Sequence, residues 1–162
     1  MLVRLLIAAL ALALLAPASA EAQRRRGTRR AAADAYAPRF GPHIGYNFDA
    51  DAWLVGAQVS WPLTPRVLLY PSFDFYFVDP GSLWSLNADL KVRPPTRSGA
   101  LYLGGGLNYS RRSVSGVSGS DTGLNLLVGA EGRRARSFPY VEAKLILGEG
   151  SSFQIAGGFS FR

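Results

Sequence analysis

The stretch LWSLNADLKVRP, residues 83–94, alternates between apolar side chains and polar or charged ones. The two sets are Trp84, Leu86, Ala88, Leu90 and Val92 on one side, and Ser85, Asn87, Asp89, Lys91 and Arg93 on the other. A period of two predicts a β-strand, because successive side chains of a strand point to opposite faces of the sheet. The fold then depends on which of the two faces meets water.

From residue 40 onward the chain is a series of runs that end at clusters of Gly, Pro, Asp or Ser. Eight runs can be distinguished, at residues 40–48, 52–62, 66–78, 83–93, 99–111, 122–133, 138–148 and 152–162. The region has no convincing helical period, so the sequence predicts an all-β domain.

In other runs, too, the charges fall on one face only. Asp74 lies on the face opposite Phe73 and Phe75, in a run that is otherwise aliphatic and aromatic. Burying an unpaired carboxylate costs several kcal/mol or more, so Asp74 requires partners, and we expect a Lys or Arg to pair with it. The predicted polar network consists of Asp74, Asp89, Lys91, Arg93, Glu131, Glu142 and Lys144, with Arg133 and Arg162 as further candidates.

Two architectures produce this alternation, and they place the charges in opposite locations. A soluble barrel, such as a lipocalin-like ligand binder, buries its apolar face, whereas a transmembrane barrel turns that face to lipid. The long runs favour the second, since a strand needs about 9 to 11 tilted residues to cross a bilayer. Open sheet edges do not occur in lipid. We therefore predict an eight-stranded antiparallel up-and-down transmembrane β-barrel with a lumen filled by side chains.

Aromatic spacing supports the transmembrane alternative. Trp53 and Trp61 share a face and are eight residues apart, with small or aliphatic residues between them on that face. Eight tilted steps span roughly 20 Å, close to the apolar band of about 25 Å in such barrels. We predict an aromatic girdle at the two membrane interfaces, with Trp53, Trp61, Trp84, Tyr109, Phe153 and Phe161 as members.

The beginning of the chain has the pattern of an exported protein. Residues 1–20 combine an early Arg, an apolar stretch and a small-residue site, which predicts a secretory signal peptide. Residues 21–38 are rich in Arg and poor in large apolar residues, which predicts a basic flexible periplasmic linker. The barrel domain then covers 39–162. The sequence has no Cys, so disulfides do not stabilise it.

An even number of strands places both ends of the barrel on the periplasmic side. The periplasmic turns are expected at 63–66, 94–98 and 133–137, and the outer loops at 49–51, 79–82, 112–121 and 148–151. Among the outer loops, only 112–121 is long.

Over residues 40–162 the sequence resembles the small eight-stranded outer membrane barrels grouped with the OmpA transmembrane domain, OmpX and OmpW. The resemblance lies in the strand alternation and in the ending SFQIAGGFSFR, which is similar to the C-terminal insertion signal read by the barrel assembly machinery. Gly157, Phe159 and Phe161 are its outward positions. Family members usually end on the aromatic residue, whereas this chain adds Arg162. We expect a monomer in the outer membrane, with membrane lipids and lipopolysaccharide as partners.

The residues offer little chemistry for catalysis or metal binding. Inward-facing His43, with Ser60 or Asp74 as its partner, is the one candidate for a lipid A-modifying enzyme, but a charged lumen does not suit an acyl chain. We expect no enzyme activity, cofactor, metal or nucleic acid partner. Asp49 and Asp51 are interpreted as a solvated loop tip.

Arg111 and Arg112 lie where the fifth run ends. They are a candidate contact for lipopolysaccharide phosphates, and the alternative is an ordinary exposed basic pair.

For the whole protein we expect a structural role, an interaction role or limited permeation of solutes.

Overall fold

The structure, a computed structural model, describes residues 37–95, 100–132 and 136–162. This part of the chain forms the strands β1 Arg39–Asn47, β2 Ala52–Pro62, β3 Val67–Tyr76, β4 Ser82–Val92, β5 Leu101–Val114, β6 Val117–Glu131, β7 Ser137–Leu147 and β8 Ser151–Phe161. Each strand pairs antiparallel with the next, and β8 pairs with β1, which closes the barrel. None of the described residues belongs to a helix that is long and apolar enough to span a membrane.

The wall of this barrel is apolar outside and polar inside. On β4, Asp89 is 0% exposed, whereas the next residue, Leu90, is 46% exposed. Lys144 of β7 is also buried, and Phe73 of β3 faces outward. A soluble barrel would have the reverse arrangement, so the predicted eight-stranded antiparallel barrel is confirmed and the lipocalin-like alternative is not favoured.

The two ends of the barrel differ in which connections they carry. The terminal end holds Arg39, Phe161 and the β2–β3 turn at residues 63–66. In that turn the Thr64 hydroxyl accepts a hydrogen bond from the Val67 backbone N–H at 3.0 Å. The distal end holds the turns that follow β1, β3, β5 and β7.

The prediction of a long outer loop at residues 112–121 is wrong. β5 continues to Val114 and β6 begins at Val117, so the hairpin turns at Ser115 and Gly116 alone. Both turn residues have positive φ, 51° and 84°, as a tight two-residue hairpin requires. Because the tip of this hairpin is exposed on both faces, its sequence lacks the apolar alternation that identifies the other strands.

Two of the barrel's eight ladders are interrupted, each beside a proline. The pairs that Gly41 and Pro42 would make with β8 are missing, and so are the pairs that Tyr70 and Pro71 would make with β2. Proline has no backbone N–H to donate to a ladder, which explains both interruptions. The hairpin β1–β2 therefore has an interrupted ladder on each side.

Candidate functional site

The lumen begins at the terminal end with a carboxylate held between two guanidinium groups. Arg39 Nη1 and Arg93 Nη2 each lie 2.7 Å from Glu131 Oε1. The Arg39 guanidinium also lies over the Phe138 ring, 3.8 Å from its centre. The sequence predicts Arg93 and Glu131 at this place but misses Arg39, because Arg39 precedes the first clear alternation.

The next group encloses a lysine ammonium. Lys91 Nζ lies 2.6 Å from Glu142 Oε2 and 3.1 Å from the centre of the Tyr70 ring. The Tyr102 and Tyr140 rings are 4.2 and 5.5 Å from the same nitrogen, and the Tyr102 hydroxyl donates to Glu142 at 2.9 Å. The buried ammonium thus has a carboxylate partner and aromatic faces around it, the environment that makes a buried cation tolerable.

A third group connects an ion pair to a chain of side-chain amides. Lys144 Nζ lies 3.1 Å from Asp89 Oδ2, and Asn125 donates to Asp89 Oδ1 at 2.7 Å. Asn87 accepts hydrogen bonds from Asn125 and Asn108, at 2.9 and 2.8 Å. Its own amide nitrogen donates onward to Asp74 at 2.9 Å. These neutral residues fill the centre of the barrel and link its two buried aspartates.

Asp74 differs from expectation in its partner. Its Oδ1 lies 2.6 Å from His43 Nε2, and no Lys or Arg among the described residues pairs with it. The other ring nitrogen of His43 is 2.9 Å from Gln58 Oε1, and Gln58 donates to the Ser160 hydroxyl at 3.1 Å. The expected pairing with a Lys or Arg is wrong because Lys144 reaches Asp89 instead.

Glycines make room for two of the rings in the lumen. A Cβ on Gly56 would lie 2.3 Å from His43 Nε2, and one on Gly129 would lie 2.4 Å from the Tyr102 hydroxyl. Neither distance is compatible with a side chain. These glycines of β2 and β6 allow the two rings to lie close to the backbone of the wall.

An apolar cluster lies inside the barrel at its distal end, on β2 and β3. Ala52, Leu54 and Tyr76 are buried against one another, and Leu54 is 0% exposed. The Tyr76 hydroxyl donates to Gln154 at 2.8 Å, so its polar atom is satisfied below the cluster. We call these three residues the distal cap.

The predicted lumen residues are all inside the barrel, but they form separate groups. Arg93 and Glu131 belong to the first group, Lys91 and Glu142 to the second, Asp89 and Lys144 to the third, and Asp74 to the amide and imidazole chain. Arg162 is exposed, with its guanidinium 5.6 Å from the Phe138 ring centre. Arg133 lies outside the described residues.

His43 has the geometry of a structural residue. Both of its ring nitrogens lie at hydrogen-bond distance from Asp74 and Gln58, and Ser60 is not among its partners. A catalytic base needs a nitrogen that faces a nucleophile. Among the described residues, no group of three or more Asp, Glu or His is placed to hold a metal ion.

The outward aromatic residues lie at both ends of the barrel, and more of them lie at the distal end than at the terminal end. Of the predicted girdle, Trp53, Trp84, Tyr109 and Phe153 are distal, and Trp61 and Phe161 are terminal. The sequence-based list misses further outward distal rings, namely Tyr46, Phe48, Phe73, Phe75 and Phe77, which contact each other or the predicted members. The distal belt is therefore the denser one.

The two charged pairs predicted at the distal end, Arg111 with Arg112 and Asp49 with Asp51, do not act as pairs, because the members of each pair have different surroundings. Arg111 and Arg112, being consecutive on β5, point to opposite faces of the hairpin. Asp49 accepts the Phe153 backbone N–H at 2.5 Å, and Asp51 accepts the Tyr46 hydroxyl. The aspartates are exposed, as expected, but each also fixes a neighbouring element.

A closed eight-stranded barrel with a lipid-compatible wall and ion pairs inside defines the class of small transmembrane β-barrels. Solved structures of this class match the fold. The N-terminal β-barrel domain of OprF from Pseudomonas aeruginosa has a TM-score of 0.66 and 20% identity, covering 76% of this chain and 95% of that one. Neisserial surface protein A has a TM-score of 0.58 and 13% identity, covering 76% of this chain and 94% of that one.

These comparisons confirm the predicted resemblance to small eight-stranded outer membrane barrels at the level of fold. No protein-family model and no curated protein matches the sequence.

Proposed function

We propose that this protein is an outer membrane β-barrel with a structural or interaction role, and that its lumen does not conduct solutes. The observation that carries the proposal is the filled interior. Paired charges occupy the lumen from the terminal end to the middle, and the buried distal cap lies inside the other end. An eight-stranded barrel is just wide enough for side chains to fill it.

The outward surface supports placement in a bilayer. Leucine, valine and phenylalanine side chains are exposed all around the wall, and in water they would form an apolar surface far larger than monomeric soluble proteins tolerate. Aromatic rings flank this surface at both ends, as in barrels that meet lipid headgroups at two interfaces.

The route to the membrane follows from the sequence. Residues 1–20 would direct export and be removed, and 21–38 would remain as a basic linker in the periplasm. The ending at 152–162 would be read by the barrel assembly machinery, and the terminal end of the barrel would face the periplasm. The lipids of the outer membrane are then the partners of the wall.

The lumen is unsuited to the other functions that the sequence leaves open. A ligand-binding barrel requires an apolar cavity, whereas here the interior holds buried ion pairs and amides. A lipid A-modifying enzyme requires an exposed catalytic group beside an acyl-chain pocket, and His43 is buried behind Asp74 and Gln58.

The proposal is tested by refolding residues 39–162 from urea into detergent and then into planar bilayers. We expect a compact gel band that shifts on boiling and no conductance above that of the bare bilayer. The variant Lys91→Ser with Glu142→Ser removes both partners of one lumen pair, and we expect it to remain non-conducting, because the Lys144–Asp89 pair, the side-chain amides and the distal cap still fill the barrel.

Steady conductance by the unsubstituted barrel would contradict the proposal that the lumen does not conduct, and would favour limited permeation. Failure to form the heat-sensitive band in any detergent or lipid would contradict the membrane barrel itself.

A further inference from the structure

Along the described strands, the outward face of the barrel carries a single charge. Among the outward positions of the eight described strands, every side chain is apolar, aromatic, hydroxyl-bearing or glycine, except Arg111 on β5. All other charged residues of these strands point into the lumen or over its mouth. A guanidinium placed alone on a lipid-facing wall requires an anionic partner or water.

The position of Arg111 coincides with the distal interface. In the strand register it stands between Trp84 on β4 and Ser120 on β6. The row below it contains Tyr109, which pairs with Leu86 and Thr122. Tryptophan and tyrosine rings mark the depth of lipid headgroups, so the guanidinium lies at that depth.

The surroundings of Arg111 suit an anion. Hydroxyl groups occupy the neighbouring outward positions, which are Ser82, Ser113, Ser118, Ser120 and Thr122. None of the ion pairs of the described residues includes Arg111. Guanidinium and hydroxyl groups are both donors to phosphate, and the guanidinium can bind two oxygens at once.

A groove lies directly below this patch on the same wall. Its volume is about 340 Å³, and its outward lining is Leu86, Ala88, Leu107, Tyr109 and Thr122. The small side chain of Ala88 leaves a depression between larger neighbours. The groove thus starts at the row of Tyr109, one row below Arg111, and descends into the apolar band, as an acyl chain does from its headgroup.

We propose that this wall, on strands β4 to β6, binds one phosphorylated and acylated lipid of the outer leaflet. The phosphate lies against Arg111 and the neighbouring hydroxyls, and one acyl chain lies in the groove over Ala88. The inference rests on the proposed membrane placement, with the distal end in the outer leaflet.

Arg112 has no place in this site. Its side chain belongs to the opposite face of the hairpin, above the mouth of the lumen, and its register partners are Leu83 and Gly119. Since it carries the same charge one residue away, Arg112→Ser is a matched control for Arg111→Ser.

The experiment uses nanodiscs of phosphatidylcholine with a small fraction of bis-phosphorylated lipid A. The barrel, extracted gently into detergent, is weighed by native mass spectrometry to count retained lipid. We expect Arg111→Ser to retain about tenfold less lipid A than Arg112→Ser, the loss that follows from removing a charge-assisted hydrogen bond. Arg111→Lys should keep part of the binding.

A second variant tests the groove. Ala88→Leu fills the depression, and we expect it to lower retention, while Ala130→Leu, on the outward face of β6 near the terminal end, should not. The heat-sensitive gel band confirms that each variant is folded.

Three results would overturn the inference. The first is that Arg111→Ser and Arg112→Ser lose the same amount of lipid A, and the second is that the unsubstituted barrel retains dephosphorylated lipid A as well as the bis-phosphorylated form. The third is that inorganic phosphate releases all of the bound lipid, which would indicate a site for the free anion. If instead no chain forms the heat-sensitive band, the proposed function fails before the lipid site is tested.

Discussion

Asp74 shows how a single buried residue depends on neutral partners. It accepts hydrogen bonds from Asn87 and lies against His43, so its charge is distributed over groups on β1 and β4. The alternation of β3 predicts that Asp74 points inward, because a period of two is visible in sequence. Its partner could not be predicted, since which residues meet across the lumen depends on the stagger of the strands.

We expect Asp74→Leu to lower the free energy of unfolding by about 3 to 5 kcal/mol, because His43 and Asn87 lose a buried acceptor. The measurement is urea unfolding in lipid vesicles, followed by tryptophan fluorescence. Ser72→Ala is the control on the same inward face, since the Ser72 hydroxyl has no hydrogen-bond partner among the described residues, and it should change stability little.

The double variant His43→Leu with Asp74→Leu sharpens this test. Replacing both partners with apolar groups should cost less than the two single changes added together. Additive costs would show that the imidazole and the carboxylate do not interact.

At the scale of elements, strands were predictable where an apolar face alternates with a polar one. Eight strands lie within a few residues of the predicted runs, and their order in the barrel is sequential. The prediction fails at residues 112–121 of the β5–β6 hairpin, because the alternation ends where both faces are exposed. There the backbone pairing continues without any apolar pattern to reveal it.

The tip of this hairpin allows a clean comparison of two glycines. A Cβ on either Gly116 or Gly119 would meet nothing within 4 Å, but only Gly116 has a positive φ, 84°. We therefore expect Gly116→Ala to destabilise the hairpin by about 1 kcal/mol and Gly119→Ala to have no such effect. The check is hydrogen exchange of amides 111–121, which should be faster in the first variant only. Equal exchange in both variants would contradict the turn.

For the whole molecule, closure and inverted polarity were the predictable features, because both follow from placing alternating strands in lipid. The core that resulted was only partly predictable. Neutral Asn87, Asn108 and Asn125 fill the centre of the barrel. The alternation predicts that Asn87 points inward, but the hydrogen bonds between these amides depend on how the strands are staggered. The groove below Arg111 depends on how three strands are placed side by side, so it too requires the structure.

The proline-interrupted ladders on both sides of β1–β2 have a mechanical consequence. Pulling at the N-terminus peels this hairpin away from β8 and β3, and both of those ladders are incomplete. Pulling at the C-terminus instead removes β7–β8, which breaks the incomplete β8–β1 ladder and the complete β6–β7 ladder. In single-molecule force spectroscopy, the first rupture from the N-terminal side should need less force. Pro71→Ala, which adds an N–H facing β2, should raise that force and leave the first C-terminal rupture unchanged.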